Sequence, residues 1–424
     1  MLSTVRRRTG AADRTGNRSL RWPLVCTLAL IIASEYKLRV RADDQTVSGD
    51  ADPFILIEIG VYALVAAFLF LRFRPTFRTR RADWVTYLGY AYAAVLIGAA
   101  LYSPYHAVAL VRAAQVCVVF ALSRAIARHA PRESLHRIAH GFVVLVAGSV
   151  VFGFLVPFPR LESQPDRFTW LYLHPVVAGT FLAIACVLIT AYLVTHRIRR
   201  IGPHWRVSWY FVLLAVCVAG LIATKTRGAV FGAAVGVLVV LWTRWRGSRK
   251  LEVGMVLGAL GLIAGLAAPS MILEFFVRGE STEQLASLNS RTELWAQAFT
   301  LAGERPLYGY GLTASRGLFL DTIGLGGGHN AFVNLLVDTG VIGVLAWLAL
   351  VAAVLITATR RLRLYAEMRV DRIIILAVLS AMLANSIFTE DLGAPATVAS
   401  TWLFVLLAWV TSTSHARTHE LEPR

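Results

Sequence analysis

The sequence predicts an all-α integral membrane protein of about twelve transmembrane helices, with one large external loop that carries an amphipathic surface helix. Three observations predict it. The 424 residues are 57% hydrophobic and only 16% charged, where soluble domains carry roughly a quarter charged, and the mean hydropathy is +0.62. The charges gather between apolar runs of about 20 residues, the length that crosses a bilayer as a helix. Lys and Arg alternate in abundance from one connection to the next, as the two sides of a membrane require.

Taken in order, a basic tail over 1–21 holds Arg6, Arg7, Arg8, Arg14, Arg18 and Arg21. Nine spans follow within 22–268, near 22–34, 54–73, 84–103, 105–127, 138–158, 175–196, 205–224, 228–243 and 251–268. The "SEYKLRV" after the first is no small-residue cleavage site, so that span reads as retained. An external loop of 62 residues, 269–330, comes next. Spans near 331–358, 373–388 and 395–411 and a tail over 412–424 complete the chain. Of the 42 Lys and Arg, 30 lie on the side of the N-terminal tail and 11 on the other, with Arg112 inside the fourth span. Both termini are therefore expected in the cytoplasm and the long loop outside. The net charge of +17 is mostly this inner-face arginine, facing membrane lipid, and makes no case for nucleic acid. Cys26, Cys117, Cys186 and Cys217 fall within spans with no CxxC, and read as small buried apolar residues.

A loop as long as 269–330 is unusual unless it is functional. Within it, "SRTELWAQAFTLAGERP" opens with a Ser290-x-x-Glu293 capping box. Trp295, Ala298, Phe299 and Ala302 then recur at helical spacing until Gly303 and Pro306. This reads as a helix lying on the membrane surface, apolar face down. Arg291 sits in its first turn, where the helix end already favours anions, and so points to an anionic ligand. Lys225 and Arg227 form a second anion-site candidate in the tight turn of "ATKTRGAVFG". For each cation the plainer reading, an interfacial anchor, stays open. His329 follows Gly326, Gly327 and Gly328, which let the backbone bend sharply and a ligand approach. Asn330, Asn334 and Asp338 recur every four residues below it, a polar stripe of the kind that faces a bundle interior or wet cavity.

The stretches "TKTRGA", "SRTELWAQAFTLAGERPLYGYGL" and "GGHNAFVNLLVDTGVIGVL", between about Ala223 and Leu345, resemble the O-antigen ligase and polymerase superfamily. The resemblance implies an integral-membrane glycosyltransferase of the bacterial inner membrane with its active site on the periplasmic side. The donor it implies is a glycan on undecaprenyl diphosphate. The acceptor is lipid A–core for a ligase, or a second lipid-linked glycan for an O-antigen or exopolysaccharide polymerase. No nucleotide sugar or cofactor is implied, and no metal for the ligases. Position by position, the family's arginine between adjacent spans falls on Arg227 and its loop arginine on Arg291. Its histidine before asparagine falls on His329, and its PLxGxG element on Pro306, Leu307, Gly309 and Gly311. Asp338 departs from the pattern, since members commonly carry glutamate there.

The chemistry fits these residues. Breaking a sugar–diphosphate bond leaves growing negative charge that the forks of Arg227 and Arg291 can hold, with Lys225 beside them. A neutral imidazole at His329 can take the acceptor proton. Attack opposite the diphosphate inverts the anomeric carbon. Asn330, Asn334, Asp338 and Glu293 are expected to support the site, and Tyr308, Tyr310 and Arg316 to line the sugar path. Asp50 and Asp52 could hold a divalent cation, as in metal-dependent enzymes of the C type. Glu58 and Arg112 are intramembrane charges that either pair with each other or meet substrate. His106, His140 and His174 lie near span ends, with His174 in "HPVVAG" the reserve candidate. A twelve-span transporter or flippase would place its long connection between the sixth and seventh spans, where only 197–204 lie. A non-catalytic scaffold has no use for two cations and a histidine together.

Overall fold

The computed structural model describes residues 21–36, 52–73, 83–156, 166–170, 174–195, 205–245, 252, 254–255, 291–324, 326–361, 368–393 and 395–415, and among these every regular element is helical. The helices are α1 Trp22–Glu35, α2 Pro53–Arg72, α3 Trp84–Leu101, α4 His106–His129, α5 Glu133–Leu155, α6 Pro175–Val194, α7 Trp205–Ala223, α8 Arg227–Arg244, α9 Arg291–Glu304, α10 Ala314–Ile323, α11 Ala331–Ile356, α12 Arg369–Ser386 and α13 Val398–His415. Eight expected spans coincide with α1–α8 and three with α11–α13. The ninth, 251–268, lies almost wholly outside the described residues, as do 269–290. Seven helices, α2–α6, α8 and α11, are long and apolar enough to cross a membrane, and α1, most of α7 and α13 are apolar but shorter. The chain is thus a multi-pass helical membrane protein.

Local chemistry sets several helix starts. Pro53 and Pro175 open α2 and α6, where a missing N–H costs nothing and the fixed φ suits a helix. The Asp52 carboxylate accepts the Ile55 N–H at 2.9 Å, so it caps α2; its expected metal partner Asp50 lies outside the described residues. α5 begins five residues before the expected 138. Its buried stripe runs Leu135, Ile138, Ala139, Phe142, one helical face that the charges of "ESLHR" hide.

Two clusters of intramembrane polar groups are paired. The Arg112 guanidinium donates to Glu58 at 3.0 Å and to Gln115 at 2.8 Å, which decides between the two readings of that pair in favour of an ion pair. The His140 ring meets the Tyr210 hydroxyl and packs at a tilt on Tyr192, while His106 is exposed at the start of α4. The four cysteines are free.

Two features of the backbone position the site. Gly228, Gly232 and Gly236 line one face of α8. A Cβ on Gly228 would meet Phe388 Cβ at 2.6 Å, on Gly232 the Ala381 carbonyl oxygen at 2.7 Å, and on Gly236 Val187 Cγ2 at 2.5 Å. Small residues at this spacing let membrane helices close to backbone contact, so α8 docks tightly on α12 and α6. Its first residue, Arg227, is thereby held beside the end of α12.

The second feature is a break in α11 at Gly340 (φ 63°, ψ −166°), roughly 14 Å below the helix start at 1.5 Å per residue. A broken backbone at that depth must find protein partners. The carbonyls of Val337 and Asp338 accept the N–H groups of Tyr310 and Gly311 at 2.9 and 2.8 Å, and the N–H groups of Val341 and Ile342 donate to Pro306 and Leu307 at 2.8 and 3.2 Å. The "PLYGYGL" stretch therefore fills the break. A Cβ on Gly340 would lie 2.4 Å from the Leu307 carbonyl carbon, and one on Gly309 2.5 Å from the Val337 oxygen.

Candidate functional site

The described residues of the long connection before α11 form two helices, α9 and α10, held against the start of α11. α9 buries Leu294, Ala298, Leu301 and Ala302, and the first three make a small apolar core of their own with Phe319, Val333 and Val337. The expected stripe is rotated: Phe299 is 55% exposed, and the buried face packs on protein. Neighbouring stripes at 100° per residue share Ala298 and Ala302, so periodicity alone does not choose between them. Glu293 is exposed in the first turn, and its capping partner Ser290 lies outside the described residues.

α10 was not expected, and Asp338 explains it. The buried Asp338 carboxylate accepts the Ser315 N–H at 2.7 Å and the Thr313 N–H at 3.1 Å. It thus caps a helix from a different segment. Tyr308 and Tyr310 belong to the filled break. The Tyr102 hydroxyl donates to the Tyr308 carbonyl, the Tyr310 hydroxyl donates to Glu304, and Arg305 lies 4.5 Å over the Tyr310 ring.

His329 stands at the bend before α11 with φ 48°, a left-handed conformation that costs a non-glycine residue about 1–2 kcal/mol. Three side chains hold the bend. The Asn330 side chain caps α11, accepting the Phe332 N–H at 2.9 Å, and donates to the Ile387 carbonyl at 3.1 Å. The Asn334 carbonyl oxygen accepts the Gly328 N–H at 2.9 Å. Trp295 of α9 donates to the Gly328 carbonyl at 3.2 Å. The preceding glycines make room for the protein's own groups: a Cβ on Gly327 would lie 2.2 Å from Glu390 Oε2, and one on Gly328 2.4 Å from Asn334 Oδ1.

Glu390, between α12 and α13, is the residue the sequence reading missed. It receives the Arg316 guanidinium at 2.8 Å and the Asn334 amide at 2.6 Å. Burial pushes its carboxyl up, but Arg316, His329 and the two hydrogen bonds outweigh that and hold it below the usual range. Arg316, expected on the sugar path, is thus a counter-charge to Glu390. The one signal in "FTEDLGA" was a pair of acids in a short connection with no Lys or Arg.

The cations arrive from two directions. Arg291 donates to the Phe388 carbonyl at 3.5 Å and sits 5.8 Å over that ring. Phe388 also touches Gly228, so Arg291 and the start of α8 meet the same residue. The turn before α8 is strained, with Lys225 at φ 48°. Arg167 braces it, donating to the Thr224 carbonyl and the Thr226 hydroxyl, each at 2.8 Å. Such strain gathers where a surrounding structure has a task for it. His174 lies beside this turn, since the Thr226 hydroxyl donates to the Pro175 carbonyl at 3.0 Å.

Lys225, Arg227, Arg291, His329, Asn330 and Asn334 are therefore brought to one region, joined by Arg167, His174, Arg316 and Glu390. Asp338, Tyr308 and Tyr310 serve the loop's attachment, and Glu293 is not among the residues brought together. Guanidiniums around a histidine can hold an anion while a proton is taken from a neighbouring group. Residues 209–348 match the family model described as O-antigen ligase. This bears out the resemblance over the segment that carries Arg227, Arg291 and His329; Arg167, His174 and Glu390 lie outside it. No curated relative matches the chain.

Proposed function

We propose that this chain, which carries the O-antigen ligase pattern over residues 209–348, transfers a glycan from undecaprenyl diphosphate to an acceptor hydroxyl on the periplasmic side of the inner membrane. The observation that supports the proposal is that Arg291 and the start of α8, where Arg227 stands, both reach Phe388, two residues before Glu390, whose charge His329 acts on. The acceptor oxygen attacks the anomeric carbon as its proton passes to His329. The bond from that carbon to the diphosphate oxygen breaks, and undecaprenyl diphosphate leaves with its added charge held by Arg227, Arg291 and Lys225. Attack from the face opposite the leaving group inverts the configuration. The guanidiniums take the charge that a divalent ion carries in metal-dependent transferases, so the reading needs no metal.

A ligase, with lipid A–core as acceptor, is the reading we favour over a polymerase that adds to a second lipid-linked glycan. The glycan phenotype of a deletion strain tests it. Long polymer left on its lipid carrier is expected of a lost ligase. Accumulation of single repeat units would assign a polymerase, and unchanged surface glycan would remove the chain from this chemistry.

A further inference from the structure

His174 stands where the two parts of the site meet. Its Nδ1 accepts the Val176 N–H at 3.2 Å, as the N-cap of the 20-residue α6. A ring nitrogen that accepts a hydrogen bond carries no proton, so the neutral ring keeps its proton on Nε2 as a donor. On one side, Pro175 is bound to Thr226 of the Lys225–Arg227 turn. Arg167, His329, Glu390 and Arg316, from four other segments, are all close enough to act on its charge. The residue is exposed, so a ligand can reach it. Burial, then the positive charges of Arg167, His329 and Arg316, lowers its pKa to about 4 against the pull of Glu390. It is therefore neutral at pH 7.

We propose that His174 is a binding residue for the donor: its Nε2–H donates to a phosphate oxygen of the lipid-linked diphosphate, between the Lys225–Arg227 turn and the His329 bend. The inference rests on the functional reading above. Its physical sense lies in the ring's neutrality. A further cation beside His329 would oppose the protonation that His329 undergoes in the reaction, whereas a neutral donor fixes an oxygen's position without that cost. A neutral imidazole at a helix N-terminus is a known arrangement for such a donor.

The test uses the full-length protein in lipid vesicles, with undecaprenyl diphosphate as the binding probe and the glycan-bearing carrier as substrate. His174→Ser keeps a helix cap, since a serine hydroxyl also accepts at that position, but its short side chain places no donor where the Nε2–H stands. We expect affinity for undecaprenyl diphosphate and kcat/KM for the donor to fall about 10- to 100-fold, as for a lost hydrogen bond to a charged group. Thermal stability and the acid limb of the rate profile should stay where they are. His174→Ala should show the same binding loss and a lower Tm as well. Wild-type affinity in His174→Ser would overturn the inference and leave His174 as a cap alone; disappearance of the acid limb would make it the proton acceptor instead. Arg227→Ala and His329→Ala in the same assay separate the two claims. If they lose transfer while His174→Ser does not, only this inference fails. A wild-type protein that binds no undecaprenyl diphosphate overturns the functional reading and this inference with it.

Discussion

The Asn334 amide donates to Glu390 across 2.6 Å while its carbonyl oxygen accepts the Gly328 N–H at 2.9 Å, so one side chain on α11 ties the His329 bend to the turn after α12. Glu390→Gln tests that tie. His329 lowers the Glu390 carboxyl, and by reciprocity the Glu390 charge favours protonated His329. Removing the charge should therefore move the acid limb of the rate profile to lower pH. Weakening the charge-assisted bonds from Arg316 and Asn334 should cost about 1.5–3 kcal/mol of stability, read as a lower Tm.

Arg227→Ala and Arg291→Ala should each reduce transfer roughly 10²–10³-fold, as for a lost donor to developing charge, with the protein still inserted. Arg→Lys should restore little, because a point charge does not copy a bidentate fork. Full activity in both lysine variants would make these residues interfacial anchors.

Asp338→Ala should remove the cap of α10 and cost about 1–2 kcal/mol. Its oxygens are occupied by the Thr313 and Ser315 N–H groups, so the acid limb should stay with His329. Asp338→Asn keeps one acceptor oxygen and should be milder. Loss of the acid limb in Asp338→Asn, with its Tm intact, would identify Asp338 as the proton acceptor.

Gly340→Ala places a side chain on a residue with φ 63° and ψ −166°, a region that only glycine adopts readily and that costs other residues about 1–3 kcal/mol, and drives its Cβ into Leu307 backbone. The expected result is a marked fall in Tm, with α9 and α10 exchanging amide hydrogens faster. An unchanged exchange pattern would separate the loop from the break.

The orientation is checked in a cysteine-free background with Thr300→Cys, an exposed position on α9. It should react with an impermeant maleimide in intact spheroplasts. Labelling only after lysis would place the site on the cytoplasmic side.

Much of this was legible in the sequence, for definable reasons. Apolar length marks spans regardless of what they pack on, so the helices α1–α8 and α11–α13 fell where hydropathy placed them. Arg227, Arg291 and His329 stood out because each opposes its surroundings: cations at a cation-poor face, a ring at a glycine bend. Glu390 did not, because an acid in a short turn is ordinary until its partners, Arg316 and Asn334, are known from 56 or more residues away. The role of Asp338 was hidden likewise. Its four-residue spacing from Asn334 suggested a shared stripe, but the two point to separate tasks, one at the bend and one at α10. Gly228, Gly232 and Gly236 were visible as a pattern and went unread, since only their close contacts with α12 give the spacing its meaning.

The filled break in α11 bears on how such chains diverge and recombine. Because residues 306–312 complete the backbone of a membrane helix, the segment that carries α9 and α10 is not a cassette that can be lifted from one homologue into another. Its boundary runs through Gly340. A graft that changes acceptor preference would have to carry 291–345 as one inherited block, together with the Ala99–Ser103 end of α3 on which Leu312 and Gly311 rest. Substitutions in "PLYGYGL" and in "DTGVIG" should accordingly follow each other through descent, and specificity should drift at exposed positions such as Phe299 and Tyr308, where no backbone depends on the side chain.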